Sequence, residues 1–241
     1  FFSLFFFLFP PPPPRSLAGP PPDTPFFCTA ITDFAASGLV KDNDAPGGNV
    51  TGTSDMNPVV DQIDLLHQLA PEAKKVGLLY CTAESNSKIQ IELAAAELKK
   101  LGIEGVEYTA SSSNEVQQVV ESMMGKVDAI YTPTDNTIAS AMTVIASIAN
   151  EHKVPTVCGE VAHVEAGGLA SLSINYEELG RRAGEMAVRI LTEGAEPAAM
   201  PIESMGAAEC DLVYNGRTAE ALGIDVTSLV EDGATDVSAA E

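Results

Sequence analysis

Basic residues are scarce in this chain of 241 residues: 13 Lys and Arg stand against 34 Asp and Glu, for a net charge of −21. Such a surface repels phosphate backbones and anionic headgroups over any distance that salt leaves unscreened, which argues against nucleic acid as a partner. Histidine is rarer still, with three copies, and none stands with cysteine at metal-ligand spacing, so no metal site is expected. The four cysteines, Cys28, Cys81, Cys158 and Cys210, are far apart and lie in or beside apolar runs, where a thiol behaves as a small apolar group. No G-x-G-x-x-G, P-loop or H-E-x-x-H occurs, and the dinucleotide, nucleotide and zinc-protease readings lose their usual support. The apolar run Phe1 to Phe9 is too short to span a bilayer, and it lacks the basic flank of an export signal.

Between Thr24 and Asn215, seven apolar runs each end in small polar or acidic residues, and most are followed by a helix-like segment. That rhythm predicts an α/β fold with a parallel sheet. The expected strands are Pro25–Ile31, the extended Asn49–Asp55 segment, Val76–Cys81, Gly105–Thr109, Asp128–Thr132, Val154–Cys158, Leu169–Ile174 and Glu209–Tyr214. Helices are expected from Asn57 to Leu69, Ser87 to Leu101, Asn114 to Met124, Thr137 to His152 and Glu177 to Leu191, with a short one near Leu222; Val59, Ile63 and Leu66 illustrate the 3.6-residue period. The Phe/Pro-rich residues 1–23, with Pro10–Pro14 and Pro20–Pro22, are set outside the fold. Leu17-Ala18-Gly19 resembles the residues before a lipoprotein cysteine, but Pro20 stands in that cysteine's place. The acidic tail from Asp225 is expected to fray.

In a parallel sheet, ligands sit at the carboxyl ends of the strands. The residues there are Thr32 and Asp33; Ser54 and Asp55; Thr82, Glu84, Asn86 and Ser87; Thr134, Asp135 and Asn136; and Gly159 and Glu160. Hydroxyls, amides and helix-start N–H groups suit a carboxylate, and Asp or Glu suits an ammonium, whereas no nucleophile stands beside a base. The set describes a trap for a small zwitterion, with no catalytic residue and no cofactor. Helix capping is the competing explanation for Ser85, Asn86, Asp135 and Asn136. Glu160 follows a strand and a glycine, with no helix expected directly after it. The S-x-x-K at Ser85–Lys88, with Thr134-Asp135-Asn136, leaves a remote serine-acyltransferase reading, although its K-T-G partner is absent. His67, His152 and His163 read as ordinary surface or helix-end residues, and Asn49-Val50-Thr51 matches a glycosylation sequon.

The run from Thr29 to Val40 (TAITDFAASGLV), Pro46 to Asp55 (PGGNVTGTSD), KVGLLY with ESNS, Tyr131 to Met142, PTVCGE and Gly167 to Ala187 resemble the substrate-binding component of ABC importers of the tryptophan-binding (TrpX-like) family. The likeness covers nearly everything from Thr24 to Ile224. It implies a type I periplasmic-binding-protein fold, two α/β lobes closing on an amino acid, aromatic or hydrophobic, delivered to an ABC permease. A monomer outside the cytoplasm, periplasmic or lipid-anchored, is implied as well; a regulatory sensor domain of the same fold is the alternative. On this resemblance the first lobe spans 24–56 and about 170–195, and the second 57–169 and about 196–224, with 225–241 as a tail. Thr29, Thr32, Asp33 and Asp55 would line the first lobe's side of the cleft, and Glu84, Asn86, Ser87, Asp135, Asn136 and Glu160 the second's. Asp135 and Glu160 would take the ammonium, Thr32 and Ser87 the carboxylate. Two departures stand out: Phe34 follows the Thr-Asp pair where the family has proline, and the family's opening β-α-β-α-β stretch has no counterpart in residues 1–23. The first lobe is therefore expected to be truncated, with an exposed edge and weak ligand binding.

Overall fold

The structure is a computed structural model that describes residues 5–8 and 24–238. The expectations for Pro10–Pro14, Leu17–Gly19 and Pro20–Pro22 lie outside those residues. In chain order the elements begin β1 (Phe5–Leu8), β2 (Phe26–Thr29), β3 (Val50–Thr53), α1 (Val59–Leu69), β4 (Lys75–Cys81), α2 (Ser85–Leu101), β5 (Glu104–Ala110) and α3 (Ser113–Met123). They continue with β6 (Ala129–Thr132), α4 (Asn136–Glu151), β7 (Thr156–Cys158), α5 (Val161–Glu165), β8 (Ala170–Ser173) and α6 (Tyr176–Glu193). The chain ends with β9 (Asp211–Tyr214), α7 (Gly216–Leu222), α8 (Thr227–Glu231) and β10 (Thr235–Asp236). Contacts divide it into unit 1, residues 1–56 and 174–209, and unit 2, residues 57–173 and 210–241.

Unit 1 is built on the parallel sheet β1-β2-β3. Residues 1–23 were expected outside the fold, yet Phe5–Leu8 pairs with Phe26–Thr29 in register and covers an edge of β2 whose N–H and C=O groups would otherwise be unpaired. Side chains of β2 alternate between two faces. Phe27 joins Ala183, Met186 and Ile190 of α6, while Cys28 joins Ile31 and Phe34 on the other side. Gly52 lets β3 close on β2: a Cβ there would lie 1.7 Å from the Cys28 carbonyl oxygen. Residues 196–209, expected in the second lobe, belong to unit 1. The cause is β3's outer edge: Glu203 N–H donates to Gly52 O (3.0 Å), Ser54 N–H to Glu203 O (2.8 Å) and Thr51 Oγ1 to Met200 O (2.9 Å).

Unit 2 carries the sheet β10-β9-β8-β7-β6-β4-β5, parallel except where β9 runs against β8. Helices cover both faces. Val59, Ile63 and Leu66 of α1 pack with Ile91 and Leu98 of α2 on one, and Val116 and Val120 of α3 with Ile138, Met142 and Ile145 of α4 on the other. Each such side chain, fully buried, contributes about 1.5–3 kcal/mol. The outer strand β5 shows mostly exposed residues, and Glu104 pairs with Lys75 at 3.1 Å, a charged edge that discourages further pairing. The segment after Asp225, expected to fray, is held in unit 2 through residue 238: Leu229 of α8 is 1% exposed in the core, and β10 pairs with β9.

Candidate ligand-binding site

Strands β4, β6 and β7 are neighbours and parallel, so their carboxyl ends, at Cys81, Thr132 and Cys158, share one edge of unit 2. The structure therefore brings Glu84, Asn86, Ser87, Asp135, Asn136 and Glu160 to that edge. The loop at Thr134 joins them. Its carbonyl oxygen accepts from Asn86 Nδ2 (3.1 Å), its N–H donates to Gln90 Oε1 (3.2 Å), and its Oγ1 accepts from Asn57 Nδ2 (2.6 Å). On the other side it touches the end of β7, because Gly159 has no Cβ: one would fall 2.4 Å from the Thr134 nitrogen. Behind this edge Gln62 of α1, fully buried, donates to Gly159 O (3.2 Å) and Leu172 O (2.8 Å) and accepts from Tyr131 Oη (2.7 Å).

Two of the three carboxylates at this edge are already engaged. Asp135 is fully buried; Oδ2 accepts from Cys81 N–H (2.7 Å) and Ser87 Oγ (2.8 Å), and Oδ1 accepts from Ile138 N–H (2.9 Å) as the N-cap of α4. Burial outweighs these donors and holds its pKa above the ordinary Asp value. Glu84 accepts from the N–H groups of Asn136 (3.0 Å) and Thr137 (2.9 Å) and from both their side chains. Burial raises its pKa, but the four hydrogen bonds prevail and lower it. The expected roles of Asp135 toward an ammonium and of fully buried Ser87 toward a carboxylate are thus revised. Both side chains are spent on fastening β4, α2 and α4 together, over sequence separations of 54 and 48 residues that no local pattern reveals. Asn136 is exposed and Asn86 half-buried, and no side chain caps the first turn of α2.

Glu160 differs. It was expected to have no helix after it, but it stands at the N-cap of the five-residue α5, too short for a period to show. Its carboxylate does not cap that helix; Oε1 lies 3.0 Å from His163 Nε2, and among the described residues no donor is placed on Oε2. His163, expected as a surface or helix-end residue, lies in the last turn of α5 but is fully buried, with Nδ1 3.2 Å from Thr132 Oγ1. Ser85 and Lys88, the remote acyl-transfer pair, show no mutual contact among the described residues, and Lys88 Nζ lies 3.9 Å from Glu92 instead.

Unit 1 has its own polar edge beyond β2 and β3. Thr29 Oγ1 and Thr53 Oγ1 share a hydrogen bond of 2.8 Å, and Thr32 Oγ1 donates to Asp55 Oδ1 (3.0 Å). Thr32's proton is therefore directed at Asp55, which qualifies its expected role toward a carboxylate. Asp33 Oδ1 accepts from Ala36 N–H (3.0 Å) and Asn43 Nδ2 (3.1 Å), closing the loop in which Phe34 is fully buried. Tyr176, one residue before the helix expected from Glu177 and not among the expected site residues, brings its Oη 3.4 Å from Asp55 Oδ2, and the residue is 41% exposed. Its partial signal was an aromatic residue directly after the Asn175 cap.

This architecture is that of the type I periplasmic-binding-protein fold, shared with two solved structures. One is an ABC domain in complex with L-Trp from Streptococcus pneumonia, 39% identical, with a TM-score of 0.82, covering 92% of this chain and 75% of that one. The other is the ligand-free, open structure of a substrate-binding protein with adhesive properties from Clostridium difficile, 39% identical, with a TM-score of 0.79, covering 97% and 78%. The sequence profile described as ABC transporter substrate binding protein matches residues 16–238, and the chain belongs to that family. A tyrosine-binding protein of Clostridioides difficile (strain R20291) is 41% identical over 206 residues, 86% of this chain; the chain spans 59% of that relative's length.

Proposed function

We propose that the chain is the solute-binding component of an ABC importer, capturing an aromatic amino acid outside the cytoplasm and passing it to a membrane permease without chemical change. Family membership supports the transport role, and two relatives, a tyrosine-binding protein and an ABC domain in complex with L-Trp, support the ligand class. The observation that carries the reading is Glu160: with Glu84 and Asp135 committed, it is the carboxylate of the unit 2 edge that keeps an oxygen for an ammonium. The uncapped first turn of α2, and the Nδ2 proton of exposed Asn136 that Glu84 does not take, offer donors to the ligand's carboxylate.

Ligand-observed NMR, which registers even millimolar binding, with the twenty standard amino acids is the test. Saturation transfer to L-tyrosine, L-tryptophan or L-phenylalanine, lost in Glu160→Gln, is the expected result. Transfer to none of the twenty, or equal transfer with and without the Glu160 charge, overturns the reading.

A further inference from the structure

Of the carboxylates at the unit 2 edge, Glu160 is the one that His163 meets, Nε2 to Oε1 at 3.0 Å. The imidazole is completely buried, and its Nε2 has no well-aligned acceptor although Glu160 Oε1 is 3.0 Å away. A buried polar nitrogen without a straight hydrogen bond draws any acceptor within reach. A carboxylate only accepts, whereas a threonine hydroxyl donates or accepts, so Nε2 is the nitrogen that must carry a proton toward Glu160, while Nδ1 hydrogen-bonds with Thr132 Oγ1. Cys158, the titratable group of the adjoining strand, has its thiol pushed up to about 12 by burial, Thr132 working against that, and stays neutral beside the pair.

We propose that His163 is a positioning residue for recognition of the ligand's amino group. Its buried Nε2–H holds Glu160 Oε1 inward, so that Oε2 is presented to the ammonium. The proposal rests on the reading of Glu160 given above and adds to it a relay of three side chains, Thr132, His163 and Glu160, running from β6 to the edge. A purely structural histidine would support all ligands alike, whereas this one supports the charged amine alone.

The measurement is the affinity of L-tyrosine and L-tryptophan against their deaminated counterparts, which keep ring and carboxylate, for the unaltered chain and for Glu160→Gln, His163→Phe and His163→Gln. His163→Phe is expected to weaken the amino acids roughly 10-fold, the loss of one hydrogen bond to a charged group, and to leave the deaminated acids unchanged. His163→Gln, which returns an N–H near the Nε2 position, is expected to restore most of the difference. Equal weakening of both ligand classes by His163→Phe overturns the proposal. If Glu160→Gln erases the preference for the amine and His163→Phe does not, the positioning role falls alone; if Glu160→Gln leaves the preference intact, the reading of Glu160 falls first and takes the relay with it. Nitrogen-15 spectra of the unaltered protein decide independently of any variant's folding: the Nε2–H tautomer is required, and an Nδ1–H tautomer rules the relay out.

Discussion

Asp135 accepts three hydrogen bonds on two oxygens, from the end of β4, the start of α2 and the first turn of α4. Its place in the chain, directly before a helix and after a buried strand, was legible in the sequence, as was the alternative that it caps α4. That the cap also gathers Cys81 and Ser87 was not, because those partners are distant in the chain and only the folded sheet brings them near. Replacing Asp135 by Ala leaves the buried N–H groups of Cys81 and Ile138 without acceptors, and should destabilise the protein by about 3 kcal/mol. Urea unfolding reads this as a lower midpoint at unchanged slope; an unaltered midpoint would show that water replaces the carboxylate. Glu160 teaches the converse: a carboxylate before a helix need not cap it, and its side chain turns instead to His163.

At the scale of elements, the regular β-α alternation from Val76 to Cys158 was legible because parallel strands buried on both faces are continuous apolar runs, and the helices between them bear one apolar stripe. Apolar residues at 3.6-residue spacing in α1 and α4, and the unbroken apolar run of β4, leave little else for them to form. The elements that escaped were short or depended on a distant partner. Strand β1 consists of Phe and Leu without alternation, α5 is five residues long, and β10 is two residues held by pairing with β9 and by the Gly216 N–H that donates to Asp236. Residues 200–203 likewise belong with β3 through backbone bonds that side-chain pattern does not encode. The tight pairing of β2 and β3 gives a sharp test. Gly52→Ala forces a methyl group into the Cys28 carbonyl and should cost unit 1 about 3 kcal/mol. Limited proteolysis in increasing urea should then show cleavage sites of unit 1 opening at lower urea while those of unit 2 stay unchanged; simultaneous opening of both would mean that the two units do not unfold independently.

For the whole molecule, the net charge of −21 sets the response to salt. Positive charge is sparse enough that Arg181 and Arg182 of α6 are shared among Glu178, Glu185 and Glu209, with Arg182 Nη2 2.5 Å from Glu209, and the two arginines hold the Glu178 carboxyl down at about 2. These pairs are exposed or half-buried at the surface and contribute little, so salt has little of them to remove, whereas it relieves the mutual repulsion of the excess carboxylates. The unfolding temperature should therefore rise between about 10 mM and 150 mM NaCl, as the screening length falls from roughly 30 Å to 8 Å. Differential scanning fluorimetry checks this, and a fall in unfolding temperature would show that the arginine pairs outweigh the repulsion.

The sulfur atoms carry a consequence of a different kind. None of the four cysteines is in a disulfide, and Cys28 of unit 1 and Cys158 of unit 2 are buried within strands, their thiols pushed up by burial to about 11 and about 12. At neutral pH a thiol reagent finds neither an anion nor a path to the atom until the strand parts from its neighbours. Each sulfur is thus a clock inside its own unit, and the two labelling half-lives record how long either half of the molecule stays shut, without a probe having to be built into it.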